Sequence, residues 1–277
     1  MRLALVAGLT AAVLCACPRR KQPERGRELV FAKKGDVRLT VERRLARLDV
    51  RARLYEDGDT LSVRLPDTAA PVDVAAVKAL LSVPAKLEFC AEARLDPQAN
   101  CSPATLEDGG VVGVDLTRTP DDGDRETCMV VGPTADALRS AVDAGPSRRV
   151  LVGPHQGRLR TYVAEAPCLS PRVLKAEALM EHGPMVTVTF DGPTASRFSE
   201  LTTATVTRRL FIVLDDVVTS APVVLEPITG GRAMVTLGDG TDATRARQLA
   251  AALEGGPIEG GLTLTREGVY GPPRLVP

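Results

Sequence analysis

The apolar positions of this chain follow two periods, and the switches between them mark out its elements. In the C-terminal half, Val186 to Phe190 (VTVTF) alternates apolar with polar, the period-two pattern of a half-buried strand. From Thr194 the spacing becomes helical, with Ala195, Phe198 and Leu201 turned inward. Leu210 to Leu214 (LFIVL) is apolar throughout, which predicts a strand buried on both faces and therefore central in its sheet. An Asp215-Asp216 turn leads into a strand from Val217 to Leu225, where Pro222, lacking an N–H, requires an edge or a bulge. Gly230-Gly231 turns the chain into a strand from Ala233 to Leu237, and Thr241 or Asp242 caps a last helix closed by Gly255 and Gly256.

The N-terminal half has the same clarity. Leu29 to Phe31 reads as a strand, and Val37, Val41, Leu45 and Leu48 mark one face of a helix. Ala52 to Tyr55 and Leu61 to Leu65 flank Glu56-Asp57-Gly58-Asp59, a hairpin turn. Asp73 caps a helix carrying Val74, Val77, Leu80 and Leu81, and Lys86 to Phe89 forms another strand. Strand, helix, strand, strand, helix, strand is the ferredoxin-like order. Between the halves, Asp96 to Asp108 reads as loop and Thr119 to Asp124 as an acidic turn. Thr127 to Val131 is a strand, Thr134 caps a helix through Val142, and Arg149 to Val152 and Leu159 to Val163 are strands around a Gly-Pro-His-Gln-Gly turn. The expected class is α+β, with a ferredoxin-like base and an α+β head built on a mostly antiparallel sheet.

The first residues follow neither period. Arg2, an apolar run from Leu3 to Leu14 and small residues before Cys17 have the shape of an export signal, too short to span a bilayer. Leu14-Cys15-Ala16-Cys17 resembles a bacterial lipobox, which predicts removal of residues 1–16 and acylation of Cys17. Residues 17–27, polar and basic, then form a tether, and the segments that follow are a base (28–93), an insertion (94–168), a head (169–264) and a tail (265–277). Pro18 after the acylated cysteine mildly favours the outer over the inner membrane, with the protein facing the periplasm of a bacterial envelope.

Apart from Cys15 and Cys17, four cysteines remain, Cys90, Cys101, Cys128 and Cys168, and an even remainder in an exported chain predicts disulfides. Three pairings are open. The favoured one joins Cys90 to Cys101, closing a short loop, and Cys128 to Cys168, tying a strand to the end of the insertion.

Composition narrows function mainly by exclusion. Lys and Arg total 35, as do Asp and Glu, so no net field steers the chain to nucleic acid or anionic lipid. Aromatic residues are 3% with no Trp, which counts against base- or sugar-stacking surfaces. No GxSxG, P-loop, HExxH, GxGxxG or CxxC occurs. Asp121, Asp122, Asp124 and Glu126 lack the alternating ligand spacing of a calcium loop. His155 and His182 lie apart beside glycines, Ser220 has no local His, and adjacent Asp215 and Asp216 read as turn residues pointing apart into solvent. The expectation is a non-enzymatic protein with no metal, cofactor or small-molecule substrate.

Several strings resemble one family. VERRLARLDV, GDTLSVRLPD and PAKLEF are similar to the opening of the first periplasmic domain of SecD, the accessory subunit of the bacterial protein translocon. Val63, Leu65, Pro66, Leu87, Glu88 and Phe89 sit at matching positions, while Asp67 replaces a Gly and Cys90 an Arg. LFIVLDDVVTSAP, GGRAMVTLG and ARQLAAALEGGPI resemble the head of that domain. The residues carried over are Phe198, Leu201, Thr202, Leu214, Asp215, Ser220, Ala221, Pro222, Gly230, Gly231, Leu249, Ala250, Leu253 and Gly255, with departures at Asp216, Pro257 and Ile258. The resemblance implies a stand-alone, lipid-anchored relative without the membrane helices that hold the family's proton-driven motor. Its implied partners are emerging exported polypeptide and the Sec translocon; a structural adaptor binding a folded envelope partner is the other reading.

Overall fold

The computed structural model of the chain describes residues 24–67, 72–94, 111–119, 123–142, 144–181, 183–237 and 241–271. The signal, Cys17, Cys101, His182 and the loop from Asp96 to Asp108 lie outside them, as do residues 120–122 of the TPDDGD turn. Among the described residues no helix is long and apolar enough to cross a membrane.

Three sheets cut across the sequence segments. The first holds β1 (Gly26–Lys33), β2 (Arg53–Asp57), β3 (Thr60–Pro66) and β14 (Leu262–Tyr270), in the order β14-β1-β3-β2. The helices α1 (Arg38–Arg47) and α2 (Val74–Ser82) supply Val41, Leu45, Val77 and Leu81 to its core, opposite Leu29, Phe31, Leu61 and Val63. Asp73 caps α2 as expected, its carboxylate accepting from the N–H of Ala76. Leu48, expected on the apolar face of α1, is instead exposed at the helix C-cap, because α1 ends at Arg47.

The strand after α2 corrects the expected sheet. β4 (Leu87–Ala91) does not join β1. Its place beside β1 is taken by β14, which runs antiparallel from Gly26↔Tyr270 to Lys33↔Leu262. The ferredoxin-like strand order is kept, with its fourth strand drawn from the far end of the chain. β4 is apolar enough to be buried at every position, and it serves a different core.

That core lies between the other two sheets. β4 is the first strand of a seven-stranded sheet that continues through β11 (Leu210–Leu214), β12 (Val217–Ser220), β7 (Arg148–His155), β8 (Arg158–Glu165), β6 (Gly123–Gly132) and β5 (Val111–Thr119). β11 is central, flanked by β4 and β12, as its unbroken apolar run predicted. Strand β12 ends at Ser220, and Pro222 interrupts the ladder rather than ending it: its carbonyl still accepts from the N–H of Leu210, and an isolated bridge, Arg209↔Val223, follows. The short helix α3 (Ala135–Ser140) follows Thr134, whose hydroxyl makes no cap bond, and stops short of the expected Val142. The third sheet, β13-β10-β9, comprises β9 (Val173–Leu179), β10 (Met185–Phe190) and β13 (Arg232–Thr236). Helices α4 (Gly192–Ala204) and α5 (Ala243–Gly255) are capped by Asp191 and Asp242. Phe198 of α4 meets Phe89 of β4 and Phe190 of β10 edge-on, at centroid distances of 4.9 and 5.1 Å, so one aromatic cluster joins helix, sheet and sheet.

One disulfide is present among the described residues, between Cys90 and Cys168, and it overturns the favoured pairing. The reason is placement: Phe89 and Leu169 exchange backbone hydrogen bonds of 2.9 and 2.8 Å, which brings the neighbouring cysteines side by side. The bridge closes a loop of 78 residues, so replacing both cysteines by alanine is expected to lower stability by about 2–4 kcal/mol. The check is the shift in urea midpoint between oxidised wild type and the double variant.

Candidate functional site

The feature that organises the site is Arg44, fully buried despite its charge. It projects from α1 between Val41 and Leu45, on the apolar face, toward the two segments that connect the first sheet's layer with the rest of the fold: 83–86, leading out to β4, and 256–261, leading back into β14. Its guanidinium donates to the carbonyls of Leu80 (2.9 Å), Val83, Pro84 (2.8 Å) and Gly256 (2.8 and 3.2 Å). Four backbone acceptors left over at a helix end and a chain reversal are thus satisfied by one planar donor set. Burial pulls the guanidinium down to about 10, opposed by the Asp215 carboxylate, so it stays charged at neutral pH. Gly255 shows the tightness of the fit, since a Cβ there would overlap the Arg44 side chain.

The Asp215-Asp216 turn packs on the same junction. Both residues adopt left-handed backbone, φ 52° and 64°, as a tight hairpin requires. Only Asp216 points outward, pairing with Lys86 (3.1 Å) and Arg149 (2.7 Å). Asp215, expected in solvent, turns in: its carboxylate accepts from the N–H of Lys86 at 2.8 Å, and burial pushes its pKa up. Glu88, buried beside them, is held by Lys86 and Arg149.

Beside this junction lies a cleft of about 770 Å³. Its walls are α1, residues 85–87, the segment 170–174 that begins β9, and the C-terminal turn of α5 with residues 256–259. The floor is apolar, from Leu87, Leu253 and Val173, and Leu174 stands 54% exposed at the rim. Arg43, Arg47, Lys86 and Arg172 border it, against Glu254 and Glu259. β9 is an edge strand, and one of its N–H groups, Ala176, donates to the Glu254 carboxylate at 2.8 Å, which Arg47 also holds at 3.0 Å.

The singled-out head residues divide between this site and the cores. Leu253 and Gly255 line the cleft, and Asp215 backs it. Phe198, Leu249 and Ala250 are buried in the main core, with Leu201 and Leu214 packed against it. Ser220 ends β12 opposite Ile212, and Ala221 packs on the core around Phe211. Pro222 offers its carbonyl to the N–H of Leu210 at 2.8 Å. Gly231 allows a close approach, since a Cβ there would lie 2.8 Å from that of Ala195, whereas Gly230 faces open space. Thr202 accepts from the N–H of Ile228 at 3.0 Å, tying the loop before β13 to α4. Ile258 departs from the resembling motif yet is buried in the first sheet's core, its N–H bonded to Pro84. Asp121, Asp122, Asp124 and Glu126 lie in or beside the undescribed turn, and no cluster among the described residues could hold a metal ion. Arg44 had escaped the sequence reading. Its signal was an arginine in an apolar-face slot of a helix otherwise marked by Val37, Val41 and Leu45.

Comparison with known proteins places this arrangement. Residues 160–259 match the family model of the SecDF P1 head subdomain. The protein translocase subunit SecD of Acidaminococcus fermentans is 39% identical over 98 residues, 35% of this chain and 23% of that protein. The SecD of Syntrophobacter fumaroxidans is 41% identical over 87 residues, 31% of this chain and 16% of that protein. The chain therefore spans about a quarter or less of the length of these relatives. Two solved structures share the fold over most of the chain. One is SecDF in a super-membrane-facing form, with a TM-score of 0.56 at 20% identity, covering 92% of this chain and 32% of that one. The other is from a study of SecDF as a membrane component that enhances protein export, with a TM-score of 0.53 at 21% identity, covering 87% of this chain and 98% of that one. Residues 160–259 thus resemble the SecDF P1 head subdomain, in a chain that shares most of its fold with the SecDF structures.

Proposed function

We propose that the protein is a non-enzymatic envelope lipoprotein, acylated at Cys17, that assists protein export or the handling of translocated polypeptides by binding them. The observation that carries this reading is the cleft beside edge strand β9, with an apolar floor and an exposed Leu174, next to a head of the SecDF P1 type. An edge strand presents backbone donors and acceptors to any extended chain whatever its sequence, and an apolar floor accepts its side chains. That combination suits a client that is unfolded and variable. The Sec translocon is the natural source of such clients, and the lipid would hold the site at the membrane surface.

The test is site-specific photocrosslinking in the purified chain with an unfolded preprotein. A crosslinker at Leu174 is expected to capture it, and one at Val269, still more exposed on β14, is not. No adduct at Leu174, or equal adducts at both, overturns the reading. Capture of a single folded partner in stoichiometric amount would favour the adaptor role. Fatty-acid labelling that persists in Cys17→Ala would exclude that anchor.

A further inference from the structure

We propose that the cleft beside β9 selects extended segments rich in acidic side chains. This rests on the polypeptide-binding reading and names the chemistry of the bound segment. The charges around the cleft are unbalanced. Arg43, Arg47, Lys86 and Arg172 face Glu254 and Glu259, although the whole chain is neutral. The pairings sharpen the imbalance. Glu254 is already bound by Arg47 and the Ala176 N–H, and Lys86 is bound by Glu88 and Asp216. Arg43 forms no ion pair among the described residues, and Arg172 reaches Asp191 only at 3.9 Å with its side chain 71% exposed. Two guanidinium groups therefore stand at the mouth with charge to spare.

Glu254 shows what such a site accepts. Its carboxylate takes a hydrogen bond from an edge N–H of β9 while an α1 arginine clasps its second oxygen. A segment laid along β9 from the Leu174 end meets the same two kinds of donor, backbone N–H and guanidinium. Alternate side chains of that segment would sit on the apolar floor and the others at the cationic rim. Alternating apolar and acidic residues are the sequence that fits, and the arginine forks favour carboxylates over neutral amides.

The experiment measures fluorescence anisotropy of the purified chain with a labelled peptide alternating valine and glutamate, and with its valine and glutamine counterpart. Vesicles containing phosphatidylglycerol form a third arm. The acidic peptide is expected to bind about tenfold more tightly than the neutral one, with the advantage fading in high salt. Arg43→Glu with Arg172→Glu is expected to abolish that preference. Both residues are exposed, so circular dichroism should show the variant folded as the wild type. Equal affinity for the two peptides overturns the acidic preference while leaving polypeptide binding intact. Binding of neither peptide overturns both, and binding of vesicles alone, lost in the double variant, assigns the cations to a lipid surface instead.

Discussion

Arg44→Ala is expected to remove about 4 kcal/mol of stability, enough to unfold a marginal domain near physiological temperature. The reason is an asymmetry of buried polar groups. Deleting the guanidinium, itself fully buried, leaves the carbonyls of Leu80, Val83, Pro84 and Gly256 without their donor, besides opening a void beneath α1. Arg44→Lys keeps the charge, but a compact ammonium with three donors cannot span acceptors on both connecting segments, so roughly half the loss should remain. Urea unfolding followed by far-ultraviolet circular dichroism measures both, since the chain has no Trp for fluorescence. A loss below about 1 kcal/mol for Arg44→Ala would show that the carbonyls find other partners and that the junction does not depend on this side chain.

Phe198→Ala is expected to cost nearly as much, about 3–5 kcal/mol. Its ring is fully buried against Phe89 and Phe190, and those two come from different sheets. The cavity left by the ring cannot close by moving one element without pulling a sheet off the other. Phe198→Leu retains most of the volume and should lose under about 1.5 kcal/mol. The same unfolding measurement separates the two, and equal losses would show that edge-on ring contacts, not volume, matter here.

These two residues differ in how far the sequence reveals them. Phe198 sits in a helical spacing with Ala195 and Leu201, and its burial follows from that pattern alone. Arg44 is one of several arginines in a short stretch, and only its position on the apolar face sets it apart. Hairpins were legible for a similar local reason: Asp57-Gly58 and Asp215-Asp216 carry the backbone their turns need, so neighbouring strands could be paired. Strand membership across long separations was not. Nothing in Leu87 to Ala91 states that it will leave the first sheet for β11, because the choice depends on which partner offers the larger apolar surface after the chain has returned. The cysteine pairing failed alike, since the contact that brings Cys90 to Cys168 is a backbone bridge between residues 80 apart. The cleft was hidden for the same reason, being assembled from four separate stretches that meet only in the fold.

The pairing of β1 with β14 has a mechanical consequence. Gly26 and Tyr270 are register partners in antiparallel strands, so the two ends of the described fold lie about 5 Å apart. A force applied at those ends acts across the ladder and opens it one bond pair at a time, beginning at Gly26, as a zipper opens from its tab. The first sheet would yield progressively and the seven-stranded sheet would feel no load until it had. Whatever tugs on this protein through its ends therefore meets its most compliant part first, while the cleft stays assembled behind it.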